Sequence, residues 1–130
     1  MPALIGAALL AATTAALACG YCVEDKIAAT YDHALVTQAF ARKHHVVFLH
    51  VDGVPPSRAA LARAAYSAPG VDAGSVRVAA DLLTVSFAYD PAKVKLGEIH
   101  RRMQKALGGV SLMPFEVIER PGQLKSVKGL

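Results

Sequence analysis

A chain of 130 residues with two cysteines, no tryptophan and a net charge of +4 has the size of one small domain with a modest core. Along the sequence its fourteen Lys and Arg are scattered, with only Arg101, Arg102 and Lys105 clustered, and four Phe and four Tyr leave little for base stacking; a nucleic-acid role is excluded on these grounds. No nucleophile with a partnered base is visible, so nothing supports a hydrolase, and an enzyme is not expected.

Residues 1–18 carry no charged side chain, are rich in Ala and Leu, and end in Ala16-Leu17-Ala18, the small-x-small pattern of signal peptidase sites. They read as a signal peptide whose removal leaves a mature chain beginning at Cys19. Because no Lys or Arg precedes the apolar run, a retained anchor is the alternative, and the run to Val23 reaches the roughly 20 residues that span a bilayer. A lipid on Cys19 is a further alternative, although Ala16 stands where lipoprotein signals usually carry Leu. The expected location is exported and periplasmic, with contact to the membrane only if the leader stays or Cys19 is lipidated.

From Val23 to Ala41 there is no Gly or Pro, and Val23, Ile27, Tyr31, Ala34 and Gln38 recur at helical steps. This predicts one amphipathic helix with Glu24 and Asp25 at its start and Arg42 and Lys43 after its end, as the helix dipole favours. His45 to Val51 predicts a strand, broken by Asp52-Gly53-Val54-Pro55-Pro56, and Ser57 to Ser67 a helix closing at Pro69-Gly70. Ser75 to Ala79 and Leu83 to Tyr89 predict two strands. Leu96 to Leu107 predicts a third helix, with Leu96, Ile99, Met103 and Leu107 on one face and Gly108-Gly109 as its stop. Val110 to Glu119 supplies a last strand, and Arg120 to Leu130 a polar tail.

After the first helix the order is strand, helix, strand, strand, helix, strand, which predicts an α+β fold: a ferredoxin-like βαββαβ sandwich preceded by an additional N-terminal helix. The segments are residues 1–18 as leader, 19–43 as the cysteine pair with the added helix, 44–119 as the ferredoxin-like core and 120–130 as the tail. The first strand is apolar on both faces, Val47, Leu49 and Val51 on one and Val46 and Phe48 on the other. Such a strand needs cover on both sides. The added helix is expected to supply the second cover, its alanines lying against Thr84, Ser86 and Ala88.

Pro69-Gly70-Val71, Val76, Val78, Thr84-Val85-Ser86, Tyr89-Asp90-Pro91, Val94, Leu96, Ile99 and Ala106 together resemble the heavy-metal-associated (HMA) domain of copper chaperones and metal-pumping ATPases, over residues 45 to 119. The resemblance implies metal binding; with the leader and the cysteine pair, an envelope metal-transport or redox protein is the expected partner. In that family the ligands are a C-x-x-C in the loop after the first strand of the sheet. Here that loop, Asp52 to Ser57, contains no thiol, so no ligand carries over at those positions.

The cysteines stand instead as Cys19-Gly20-Tyr21-Cys22, in front of the added helix. A helix of about 19 residues is about 28 Å long, and the strand after it covers roughly 20 Å. A fold-back between Arg42 and His45 would therefore return the thiols toward the Asp52 to Pro56 loop. Thiols at a helix N-terminus are shifted toward thiolate, the metal-binding and reactive form. Two of them suit Cu(I), or half of a Zn site. The reading is an exported soft-metal binding protein with Cys19 and Cys22 as ligands and His50, near the end of the first strand, as an auxiliary one. Copper is the first expectation, zinc the second, and neither applies if the pair forms a disulfide. The alternatives are a periplasmic thiol–disulfide redox partner and an envelope interaction module with silent cysteines. His33 lies too far from Cys22 along the helix to share its ion, and His44 and His45 are expected on the surface at the far end.

Overall fold

The computed structural model describes residues 23–79, 81, 83–108, 110–121 and 123. Among them are helices α1 (Val23–Thr30), α2 (His33–Ala41), α3 (Arg58–Tyr66) and α4 (Leu96–Leu107), and strands β1 (His45–Asp52), β2 (Arg77–Ala79), β3 (Thr84–Tyr89) and β4 (Ser111–Ile118). The strands form one sheet in the order β2-β3-β1-β4, with every neighbouring pair antiparallel. With α3 joining β1 to β2 and α4 joining β3 to β4, this is the ferredoxin-like arrangement expected from the sequence. No helix of the described residues is long and apolar enough to cross a membrane.

The single helix expected over Val23 to Ala41 is two helices. Asp32 is extended, with φ −130° and ψ 110°, and its carboxylate accepts the Leu35 N–H at 3.1 Å, which makes it the N-cap of α2. A short acidic side chain competes for backbone N–H groups and is favoured at such a cap over a helix interior. The break resets the helical phase. Ile27 and Thr30 are buried on α1 and Val36 and Ala39 on α2, whereas Ala34 and Gln38, expected on the inner face, are exposed.

β1 is covered on both sides. Val47, Leu49 and Val51 pack with Leu61 and Ala65 of α3 and Ile99 and Met103 of α4. Val46 and Phe48 pack with Ile27, Val36 and Ala39 of the α1 and α2 layer, and Phe48 has no solvent exposure. Thr84, Ser86 and Ala88 are buried beneath the same layer, and the Ser86 hydroxyl donates to the Thr30 carbonyl at 3.4 Å. The molecule is thus three layers deep.

The segments around Gly70 and Asp90 meet in space. Val71 bridges Tyr89, the Asp90 N–H donates to the Gly70 carbonyl at 2.8 Å, and Gly70 lies against Val94. Glycine is required there twice over: φ is +99°, and a Cβ would sit 2.6 Å from Val94 Cγ1. β2 is shorter than the strand expected from Ser75, because the Ser75 hydroxyl is held in a turn, donating to the Asp72 carbonyl at 2.7 Å and accepting the Ala88 N–H at 3.1 Å. Of the expected tail, Gln123 folds back and donates to the Val117 carbonyl at 2.6 Å, while residues 124–130 lie outside the described residues.

Truncating Phe48 would open a cavity between the sheet and the α1 and α2 layer. Phe48→Ala is expected to lower stability by about 3–5 kcal/mol in equilibrium urea unfolding. Val54→Ala, at a side chain 82% exposed in the β1–α3 loop, serves as the control and should shift it by no more than about 0.5 kcal/mol.

Candidate metal-binding rim

Cys19 and Cys22 lie outside the described residues, so the candidate site is built from what surrounds the start of α1. Lys26, in the first turns of that helix, donates from Nζ to His50 Nδ1 at 3.2 Å and sits 5.9 Å from the centre of the Phe115 ring. An ammonium can only donate, so Nδ1 is the acceptor and the ring proton of His50 is on Nε2. His50 is half-buried near the end of β1, on the face covered by α1 and α2.

These contacts set the direction of the added helices. Lys26 meets His50, Thr30 meets Ser86, which pairs with Phe48 further back along β1, and α2 ends at the junction that feeds His45. The layer therefore runs opposite to β1. The chain enters it at the rim where β1 ends and the Asp52 to Ser57 loop begins. That loop offers no soft donor: Asp52 Oδ1 accepts the Gly53 N–H at 3.1 Å, Ser57 caps α3, and Val54 points into solvent.

Two rim residues escaped the sequence reading. Neither Lys26, on the first helix, nor Met113, on the last strand, stands out in the sequence as a metal-site residue. Met113 lies directly across from His50 in the β1–β4 register and is 56% exposed, which adds a thioether beside the imidazole. Nothing local in the sequence signals this proximity, since the antiparallel pairing of β1 with β4 creates it.

Each of the remaining histidines has a partner away from this rim. His44 was expected at the surface but is half-buried, with Nδ1 2.8 Å from Asp72 Oδ2 and Nε2 3.6 Å from Asp90 Oδ2. Its carboxylates occupy opposite ring nitrogens and so do not converge on an ion; the group ties the α2–β1 junction to the motif loops. His45, also half-buried, meets Tyr89 edge-on at 5.7 Å between ring centres. His100 donates through Nε2 to the Leu112 carbonyl and Gln104 accepts the Leu112 N–H at 2.9 Å, which fastens β4 to α4. His33 Nδ1 lies 3.4 Å from the Tyr31 hydroxyl. Among the described residues no group of three or more His, Cys, Asp or Glu could hold a metal ion.

No protein-family model matches the sequence, and no curated protein matches it. Among solved structures the chain is similar to a copper binding domain from HMA7, a P-type ATPase, at 20% identity and a TM-score of 0.47, over 56% of this chain and 96% of that one. It is also similar to the N-terminal domain of PacS from Synechocystis PCC6803, at 19% identity and a TM-score of 0.43, over 55% of this chain and 97% of that one.

One carboxylate that orients the rim-bearing layer can be followed by titration. The Leu35 N–H and the Arg77 guanidinium, 3.0 Å away, hold Asp32 below its ordinary value of 3.8. A depressed carboxyl contributes stability in full above that value and loses it as pH falls through the folded one. The gap in urea midpoint between the parent and Asp32→Ala should therefore be constant near neutrality and close below about pH 4. A gap that widened in acid would contradict the assignment.

Proposed function

We propose that this chain is an exported binding protein for a soft metal ion, Cu(I) before Zn(II), held by Cys19 and Cys22 as thiolates at the rim where β1 ends. The observation that carries the reading is the contact of Lys26 with His50. It supports an entry of the chain at that rim, and Cys22 is one peptide bond ahead of Val23.

The chemistry of the rim favours thiolates. Unpaired N–H groups and the dipole at the start of a helix stabilise negative charge on nearby sulfur. Two thiolates around one Cu(I) carry a net charge of −1, and the Lys26 ammonium, four residues after Cys22 in the chain, offsets it. His50 can act as the auxiliary ligand through Nδ1 only by releasing Lys26. Met113 adds a further soft donor on the neighbouring strand. The protein binds and delivers an ion and performs no bond chemistry; an envelope donor or acceptor for that ion is its implied partner.

Titration of the reduced full chain with Cu(I) against a chromophoric chelator is expected to show uptake of one ion per chain. Cys19→Ser and Cys22→Ser should each abolish it, and His50→Ala should weaken it about tenfold, the scale of loss for a supporting group around a metal. Unchanged uptake in the double cysteine variant would sink the reading. The intact mass of the native protein tests export separately, with cleavage after Ala18 as the expected result.

A further inference from the structure

Charge is unevenly divided between the two helical layers. α3 and α4, which pack on each other over one face of the sheet, carry Arg58, Arg63, Arg101, Arg102 and Lys105 against a single carboxylate, Glu98. α1 and α2 carry Lys26 against Glu24 and Asp25. Glu98 is already engaged, its Oε1 lying 3.2 Å from the Arg102 guanidinium. Lys93 and Lys95, just ahead of α4, extend the positive side, and the arginines and lysines of this layer are all exposed.

The helical repeat sets the direction of this charge. Leu61, Ala64 and Ala65 of α3 and Ile99 and Met103 of α4 face the core. At about 100° per residue, Arg63, Arg101 and Lys105 project from the opposite sides of their helices, away from the sheet.

We propose that this outer face of α3 and α4 rests on an anionic lipid surface. Most specific protein contacts centre on a desolvated apolar or aromatic anchor. The layer presents none: its one exposed large apolar side chain, Tyr66, is turned toward β2, where its hydroxyl accepts the Val76 N–H at 3.3 Å. A fluid headgroup layer needs no fixed complement, because anionic lipids move to meet each cation. Every Lys or Arg that reaches such a surface strengthens binding about fivefold, an attraction that fades within a Debye length. The face is independent of the proposed metal rim, whose side chains lie on the other layer and on the strand ends.

Sedimentation of the full chain with phosphatidylcholine vesicles, with and without phosphatidylglycerol, tests the proposal. Residues 1–18 carry no charged side chain and the N-terminal amine is the same in every variant, so the readout is the ratio between the two lipids compared across variants. The ratio should be well above one at low salt and fall as salt rises. Arg63→Gln, Arg101→Gln and Lys105→Gln combined should reduce the phosphatidylglycerol-dependent part about 100-fold. Arg42→Gln, Lys43→Gln and Arg120→Gln combined remove the same charge elsewhere and should leave most of it, with circular dichroism showing both variants folded. Equal loss in the two triple variants would overturn the proposal, since net charge alone would then explain the binding. So would salt-sensitive binding to duplex DNA or polyglutamate with none to the anionic vesicles.

Discussion

A central strand that is apolar on both faces cannot leave either side in water. Val46 and Phe48 project from the side of β1 that α3 and α4 do not reach, and burying such side chains contributes about 1.5–3 kcal/mol each. In this chain α1 and α2 supply that cover. Their placement follows from a packing requirement of β1, and the position of the chain entry follows from their placement.

Polar ties then hold the layer at two levels. Asp32 starts α2 and reaches Arg77 at the start of β2, while His44, where α2 gives way to β1, joins Asp72 and Asp90. The Asp32–Arg77 pair is more than a third exposed, and exposed pairs contribute little energy. Their value is directional. Together they keep the added helices antiparallel to β1, so that Lys26 meets His50 and Phe115.

The resulting molecule separates its chemistry by layer. His50 and Met113 lie at one rim, where β1 ends and β4 begins, on the side of α1. Positive charge gathers on the outside of α3 and α4. The two regions lie on opposite sides of the sheet.

Much of the fold was legible in one dimension. α4 follows from Leu96, Ile99, Met103 and Leu107 at helical spacing, β3 from its β-branched and aromatic run, and the need for a second cover from the two-sided apolar pattern of β1. Those signals are local: they depend on period, caps and turn residues, and the core obeys them because misplacing any one would strand apolar surface in water. The break at Asp32 was not legible, since no Gly or Pro marks it and Asp is tolerated within a helix as well as at a cap. Nor was the clamp at His44, the pairing of His50 with Met113, or the gathering of basic residues that are dispersed along the chain. Each joins groups remote in sequence, and only the antiparallel register and the packing of the helices bring them within hydrogen-bonding or Coulombic range. The sequence by itself determined which residues seek the interior and where the chain turns; the tertiary structure alone decided which polar groups meet, because that depends on distances that exist only after the layers close.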